Sequence, residues 1–291
     1  MEQLVHLWMF GRTDLKVAIE RLIRVGADGI DLSVSLNGRY NRPETLVSCD
    51  SRNLLKNSGL PVRVITPLFK RQDLDYCHPD KNIRNNAVAF TKTCIDLAVL
   101  YGAEYILISP SYIGREYRIH SSYEQDWERA VYLLREAAHY AGGKGVKLML
   151  EPINRYMVSL VHTVEEGLRM ISDTGYSNIY LVLDTFHMQI EEPDGVLGGI
   201  RRAKGKIGCV HLGDNNRKPP FYGAMNWDLI IKELILTGFN GCLSHEPVEL
   251  YYNEEKIAKD SENMQRFENQ LMDSIRQMKS CIARCFVDNG F

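Results

Sequence analysis

The chain has 291 residues, with 35 Lys and Arg against 37 Asp and Glu, which leaves a formal net charge of −2. That balance excludes the strongly basic footprint of duplex nucleic-acid binders, and 45% hydrophobic with 25% charged residues is typical of a folded globular protein. The length allows two domains, but it also fits one α/β barrel, which needs about 250 residues.

Short apolar, β-branched runs recur along the chain, each followed by a longer segment with helical spacing. We predict eight strands: Leu4–Phe10, Gly29–Ser33, Val62–Thr66, Tyr105–Ser109, Lys147–Glu151, Tyr180–Asp184, Ile207–His211 and Cys242–Glu246. Predicted helices include residues 15–27, 86–103, 127–143 and 163–175, and several end in glycine just before the next strand. Such alternation predicts a parallel sheet with right-handed crossovers.

Eight such units, with near-continuous apolar strands such as YILIS and YLVLD, predict a closed (β/α)₈ TIM barrel of the α/β class, with residues 1–291 as a single domain. An open doubly wound sheet is the alternative. It would be expected to carry a glycine-rich phosphate loop after the first strand, but that strand runs into WMFGRTDL, which has neither GxGxxG nor a Walker pattern.

A final helix is predicted from about Asn263 onward, because apolar residues recur there at spacings of three and four. This stripe consists of Phe267, Leu271, Ile275, Met278 and Ile282. We expect it to pack on the barrel, with a dimer contact as the alternative.

The seven cysteines are odd in number and lack C-x-x-C spacing, which favours free thiols in a reducing cytosol over a disulfide framework. The first residues, MEQLVHLWMF, do not have the pattern of a signal peptide. No stretch approaches the ~20 apolar residues of a membrane helix. We therefore expect a soluble cytoplasmic protein with no membrane or nucleic-acid partner.

The last four predicted strands each end in a side chain that can ligate a metal: Glu151, Asp184, His211 and Glu246. In a barrel these ends meet at the C-terminal rim, where the active site lies, and adjacent strands are about 4.8 Å apart. A lone acid after a strand is usually a helix N-cap or a solvated loop residue, but four in register favour one shared site. A divalent cation resolves the repulsion between crowded carboxylates, and this donor set favours Mn²⁺, with Co²⁺, Mg²⁺ or Zn²⁺ as alternatives.

Further polar residues follow these strands. His187 lies three residues after Asp184, and Arg217 lies in the loop that starts at His211. Alone, each would be interpreted as an ordinary loop or surface residue; beside a predicted metal site, both are predicted to contact substrate. Asn154 and Arg155 follow Glu151 and are candidates to support the ligands from behind.

Trp8 and Phe10, at the end of the first predicted strand, can either form an apolar wall of the pocket or pack in the barrel core.

The runs EPINRY, LVLDTFHMQIEE, VHLGDNNR and HEP, at the ends of strands five to eight, resemble the xylose-isomerase-like sugar isomerase/epimerase superfamily. They are most similar to ketose 3-epimerases of the D-tagatose/D-psicose type, and HEPVELYYNEEKIA also resembles fructoselysine 3-epimerase-like proteins. The resemblance is weak to about residue 140 and strong from Glu151 to Glu246.

The resemblance implies a small-molecule sugar substrate, a homo-oligomer (dimer or tetramer) and metal ligands at the four positions already reached from the strand ends. It also implies Glu151 and Glu246 as the paired acid/base carboxylates, with His187 and Arg217 on substrate oxygens. The chain departs from the family pattern at Met157, where the motif carries glutamate, and in the run PPFYGAMNW after strand seven.

We therefore predict a metal-dependent sugar epimerase or isomerase, foremost a ketose 3-epimerase, in which Glu151 and Glu246 move a proton through an enediolate. Alternatives are an inosose-dehydratase-type lyase and a non-catalytic sugar-binding barrel. An endonuclease-IV-like nuclease is disfavoured, because strands three and four end in Thr66-Pro67 and Ser109-Pro110 rather than in histidines.

Overall fold

A closed barrel of eight parallel strands organises the chain in a computed structural model that describes residues 1–10, 13–114, 120–248 and 261–288. The strands follow one another in chain order, and β8 pairs with β1 to close the barrel. They are β1 (Glu2–His6), β2 (Gly29–Val34), β3 (Val62–Pro67), β4 (Tyr105–Ile108), β5 (Lys147–Leu150), β6 (Ile179–Asp184), β7 (Ile207–Leu212) and β8 (Cys242–His245). The predicted TIM barrel is confirmed over the open sheet.

Helices surround the barrel. In the described ranges they are α1 (Leu15–Val25), α2 (Pro43–Leu46), α3 (Cys49–Asn57), α4 (Lys81–Tyr101), α5 (Tyr123–Gly142), α6 (Val164–Thr174), α7 (Thr185–Glu191), α8 (Gly195–Arg202), α9 (Trp227–Leu236) and α10 (Ser261–Asp288). Local chemistry sets their ends: Thr163 and Glu166 form a capping box at the start of α6, and Gly175 ends it in the left-handed conformation.

The prediction for the first strand was wrong beyond His6. Residues Leu7–Phe10 form a short 3-10 helix instead, and all four of their side chains are buried. Tyr40 donates its hydroxyl to the Leu7 carbonyl at 3.1 Å, which fixes this turn across the barrel end. Phe10 consequently packs in the outer core under Arg21, whereas Trp8 turns toward the barrel axis and lines a cavity.

Three strands end one residue earlier than predicted, which leaves Ser109, Glu151 and Glu246 just outside them. The backbone still continues the strand direction, because the Glu151 amide donates to the Ile108 carbonyl (3.2 Å) and the Glu246 amide to Leu212 (3.0 Å). Both carboxylates are therefore held at the rim by ladder-like hydrogen bonds.

The barrel interior is closed at its centre by apolar side chains. This internal plug comprises Leu4, Val64, Leu107, Met149, Val182 and Cys209. The larger core lies between the strands and the surrounding helices. The plug separates the polar side chains at the C-terminal end of the barrel from those at its N-terminal end, such as the Glu2–Arg63 ion pair.

Helix α10 packs against α1 and α9, and its predicted apolar stripe is buried, as expected for barrel packing. Within the described residues, which include all seven cysteines, no disulfide forms. None of the helices in those ranges has the length and apolar character needed to span a bilayer.

Truncating the stripe tests this packing. Leu271 is fully buried on α10, whereas its neighbour Met272 is 44% exposed. We expect Leu271→Ala to lower the free energy of unfolding by about 2–5 kcal/mol, because it leaves a cavity. The matched Met272→Ala variant should change it by no more than about 0.5 kcal/mol. Equal effects in denaturant titrations of both variants would contradict the packing of α10 described above.

Candidate metal centre and substrate pocket

Four side chains from the last four strands converge at the C-terminal end of the barrel. Glu151, Asp184, His211 and Glu246 each offer a ligand atom, and these atoms all lie within 4.8 Å of one another. His211 Nδ1 is 3.0 Å from Glu246 Oε2 and 3.3 Å from Glu151 Oε1. The structure thus brings together the whole set expected from the strand ends, which we call the quartet.

The quartet gathers charged side chains at a buried site. Glu151, Asp184 and His211 are buried, and the Glu246 side chain is only 13% exposed. Burial raises the pKa of Glu151 to about 7. Burial also acts to lower the pKa of His211, but the nearby carboxylates of Glu246 and Asp31 hold it well above its usual value, and His211 in turn holds the pKa of Glu246 low. Besides the His211 imidazole, the Arg217 guanidinium faces the three carboxylates, with Nη2 3.5 Å from Asp184 Oδ2 and 3.8 Å from Glu246 Oε2.

The donor atoms fit a divalent cation. Asp184 Oδ1 caps α7 by accepting from the amides of Phe186 (2.7 Å) and His187 (3.2 Å). Its buried Oδ2 lies 3.5 Å from both Arg217 Nη2 and His187 Nε2 but accepts no hydrogen bond from the described residues. Neither nitrogen of His211 makes a well-angled hydrogen bond within the described residues. Carboxylate oxygens and imidazole nitrogen suit Mn²⁺, Mg²⁺, Co²⁺ or Zn²⁺. Asp184 is therefore both a helix N-cap and a candidate ligand.

Asp31 on β2 lies behind His211 and was not identified from the sequence. It is fully buried, its Oδ2 lies 3.5 Å from His211 Nε2, and it accepts hydrogen bonds from Thr66 (2.6 Å) and Ser244 (2.8 Å). Metal-ligating histidines commonly donate their second N–H to a carboxylate in this way. Asp31 thus orients His211 with Nδ1 toward the quartet. A lone acid inside the buried run GIDLSV was the signal available.

Trp8 holds Glu246 from the opposite side. Its indole N–H donates to Glu246 Oε1 at 3.1 Å, so Oε2 is the oxygen that faces His211. Lys70 Nζ lies 4.7 Å from the centre of the Trp8 ring.

A cavity of about 490 Å³ opens above the quartet. One wall carries His187, Arg217, Asn215 and Asn216, and another is apolar, with Leu68, Ile113, Ile153, Met157 and Val248. Met157, the departure noted in the sequence, therefore contributes a thioether to the pocket wall where a carboxylate would add charge. A larger groove of about 710 Å³ lies between α3 and α4, away from the quartet.

His187 and Arg217 lie side by side next to the quartet. His187 Nε2 is 3.2 Å from Arg217 Nη1, and the guanidinium lies over the Phe186 ring at 4.6 Å. Burial lowers the pKa of His187 to about 4, so the ring is neutral at physiological pH. Both side chains line the cavity where substrate contacts were predicted.

The two residues expected to support the ligands contact the neighbours of the quartet on α7. Asn154 contacts His187 Nδ1 at 2.7 Å. Arg155 instead forms a two-pronged ion pair with Glu191 on α7 (2.7–3.0 Å), which fastens the loop after β5.

Asp214 organises the loop that carries Arg217. Its buried carboxylate accepts the Trp227 indole N–H at 2.8 Å and three backbone amides, those of Asn215, Phe221 and Met225. Arg217 has a positive φ of 62° and its carbonyl accepts the Val248 amide at 2.7 Å. These bonds hold an otherwise unfavourable backbone conformation that aims the guanidinium at the cavity.

Removing the charge behind His211 tests the candidate metal centre. We expect Asp31→Asn to weaken divalent-metal binding by about 10–100-fold, because the imidazole then faces an uncharged amide instead of a carboxylate. Ser33→Ala is the control on the same strand, because the Ser33 hydroxyl makes no hydrogen bond to the part of the chain that the structure describes, and it should leave the affinity unchanged. Calorimetric titration with Mn²⁺ measures both; unchanged affinity in Asp31→Asn would contradict this role.

Comparison with known proteins gives concordant results. The family of xylose isomerase-like TIM barrels matches residues 19–267. A D-psicose 3-epimerase of Ruminiclostridium cellulolyticum is 33% identical over 242 residues, covering 80% of this chain and 78% of that protein. An L-ribulose 3-epimerase of Mesorhizobium japonicum is 38% identical over 146 residues, covering 50% and 49%.

Among solved structures, a D-psicose 3-epimerase with D-tagatose from Clostridium cellulolyticum H10 superposes with a TM-score of 0.82 at 25% identity, over 97% of this chain and 99% of that one. The run HEPVELYYNEEKIA, which suggested fructoselysine 3-epimerase-like proteins, lies outside the described residues from Glu249 onward.

Proposed function

Since the chain belongs to the family of xylose isomerase-like TIM barrels, we propose that it is a divalent-metal-dependent ketose 3-epimerase. The observation that carries this proposal is the pairing of Glu151 and Glu246 around one imidazole on the cavity floor. They rise from β5 and β8, which β6 and β7 separate, so they approach the cavity from two sides.

The two carboxylates suit inversion at a carbon beside a carbonyl. C3 of a ketose carries a proton made acidic by the C2 carbonyl. One carboxylate removes it from one face of C3 and the other returns a proton from the opposite face. Without a cation, burial raises the pKa of Glu151 to about 7 while His211 holds that of Glu246 low, so the two carboxylates differ in their affinity for a proton. A bound cation would favour the charged form of both.

The remaining residues position these groups. A cation held by Glu151, Asp184, His211 and Glu246 would supply Lewis-acid stabilisation to the carbonyl oxygen, with Mn²⁺ the first candidate and Co²⁺, Mg²⁺ and Zn²⁺ next. His187 and Arg217 contact substrate oxygens from the polar wall.

A cytoplasmic location and a dimeric or tetrameric assembly are part of the same proposal, and the resemblance to the ketose 3-epimerases supports them. Light scattering on the purified protein measures the assembly, and a monomer at working concentration would contradict that part.

Isotope exchange tests the reaction. In deuterated water with Mn²⁺, we expect a panel of free and phosphorylated ketoses to include a substrate that gains deuterium at C3 as its epimer forms. Mass spectrometry and NMR locate the label. Deuterium at C1 would instead indicate aldose–ketose isomerisation, and loss of water without an epimer would indicate the dehydratase alternative.

Replacing the acid/base pair tests the assignment of roles. Glu151→Gln and Glu246→Gln should each lower kcat by at least about 10²-fold, because neither amide can transfer the proton. Thermal unfolding should show that both variants remain folded. The exposed Glu165→Gln variant on α6 is the matched control and should retain full activity. If either active-site variant, with metal bound, turned over like the control, that glutamate would not be the acid/base group.

A further inference from the structure

We infer that Asn154 keeps His187 Nδ1 as an acceptor and so fixes the ring proton on Nε2, from which His187, together with Arg217, donates a hydrogen bond to one acceptor oxygen of the substrate. The identity of that oxygen as the ketose carbonyl rests on the proposed function. The position of the proton rests on the hydrogen bonds alone.

The orientation of the Asn154 amide determines which nitrogen of His187 carries the proton. The Tyr156 backbone N–H can only donate, and it lies 3.1 Å from Asn154 Oδ1. With the oxygen engaged there, the amide nitrogen Nδ2 is the atom that faces His187 Nδ1 at 2.7 Å. An amide NH₂ can only donate, so Nδ1 must accept and the ring proton must be on Nε2.

The contact between Arg217 and His187 would require the ring proton to be on Nδ1 instead. Arg217 Nη1 lies 3.2 Å from His187 Nε2, and a hydrogen bond there would require Nε2 to accept. The Asn154 contact is shorter by half an ångström, and its direction is fixed by a third group. We therefore assign both His187 Nε2 and Arg217 Nη1 as hydrogen-bond donors.

The two donors converge beside the quartet, because His187 Nε2 and Arg217 Nη2 each lie 3.5 Å from Asp184 Oδ2. Were a cation to take up that oxygen, the two donors would need another common acceptor. A guanidinium has no acceptor atom, and a His187 ring protonated on Nε2 has none on that side. A carbonyl oxygen that gains negative charge as C3 loses its proton meets this requirement and strengthens both bonds as the reaction proceeds. His187 and Arg217 thus form an oxyanion hole.

The surrounding packing keeps the amide in place. Asn154 is 3% exposed, and the following residue, Arg155, is tied to Glu191 on α7 through both its backbone amide (2.7 Å) and its guanidinium. His187 lies on the same helix. Asn154 is therefore a positioning residue, because it acts through His187 and does not itself contact the quartet in the structure.

Asn154→Asp separates this role from a structural one. The carboxylate keeps the acceptor for the Tyr156 amide, but it also accepts from His187, so the ring proton should move to Nδ1. We expect ¹⁵N spectra of histidine-labelled protein at pH 8, both metal-free and with diamagnetic Mg²⁺, to show His187 protonated on Nε2 in the wild type and on Nδ1 in the variant. His187→Gln assigns the signal. For the ketose identified by isotope exchange, kcat should fall by about 10²-fold with KM little changed.

Two further variants complete the test. Glu191→Gln weakens the ion pair with Arg155 but leaves the Asn154 side chain unchanged. It should therefore lower the midpoint temperature of unfolding and leave the His187 tautomer unchanged. On a His187→Gln background, whose amide can rotate to suit either neighbour, Asn154→Asp should cost far less than on the wild type.

Wild-type His187 protonated on Nδ1, or no tautomer change in Asn154→Asp, would overturn the inference. A wild-type protein that shows the Nε2 proton but epimerises no ketose would instead contradict the proposed function while leaving the role of Asn154 intact.

Discussion

Mutual repulsion among three buried carboxylates is the constraint on which the rest of the site depends. Glu151, Asp184 and Glu246 lie around one imidazole nitrogen at distances where their charges cannot stand uncompensated in a water-poor cavity. His211 and Arg217 offset part of this charge, but Asp184 Oδ2 still accepts no hydrogen bond from the residues that the structure describes. A divalent cation satisfies all four side chains at once.

The two halves of the barrel contribute different parts of this arrangement. Strands β5 to β8 place the quartet at the rim, while β1 to β3 place His6, Asp31 and Thr66 beside it as supporting polar groups. Below these groups, the apolar side chains of the internal plug fill the barrel, and the polar residues of the site pack on top of them. The loop after β5 holds Asn154 against His187, and the loop after β7 aims Arg217 at the cavity.

The quartet could be predicted because its members coincide with the ends of consecutive apolar runs, where topology alone brings side chains together. Its supporting contacts could not. Asp31 meets His211 only because β2 faces β7 across the barrel interior, and a single acid in a strand carries no sign of its partner. Trp8 reaches Glu246 because the chain turns into a 3-10 helix after His6, which the apolar pattern of Leu4–Phe10 did not reveal.

The central claim is that the quartet holds one cation, and anomalous X-ray scattering from crystals grown with Mn²⁺ tests it most directly. The account predicts a single strong peak within about 2.0–2.4 Å of an atom from each of Glu151, Asp184, His211 and Glu246. A peak bound elsewhere, or the four side chains remaining paired with one another in saturating Mn²⁺, would contradict it.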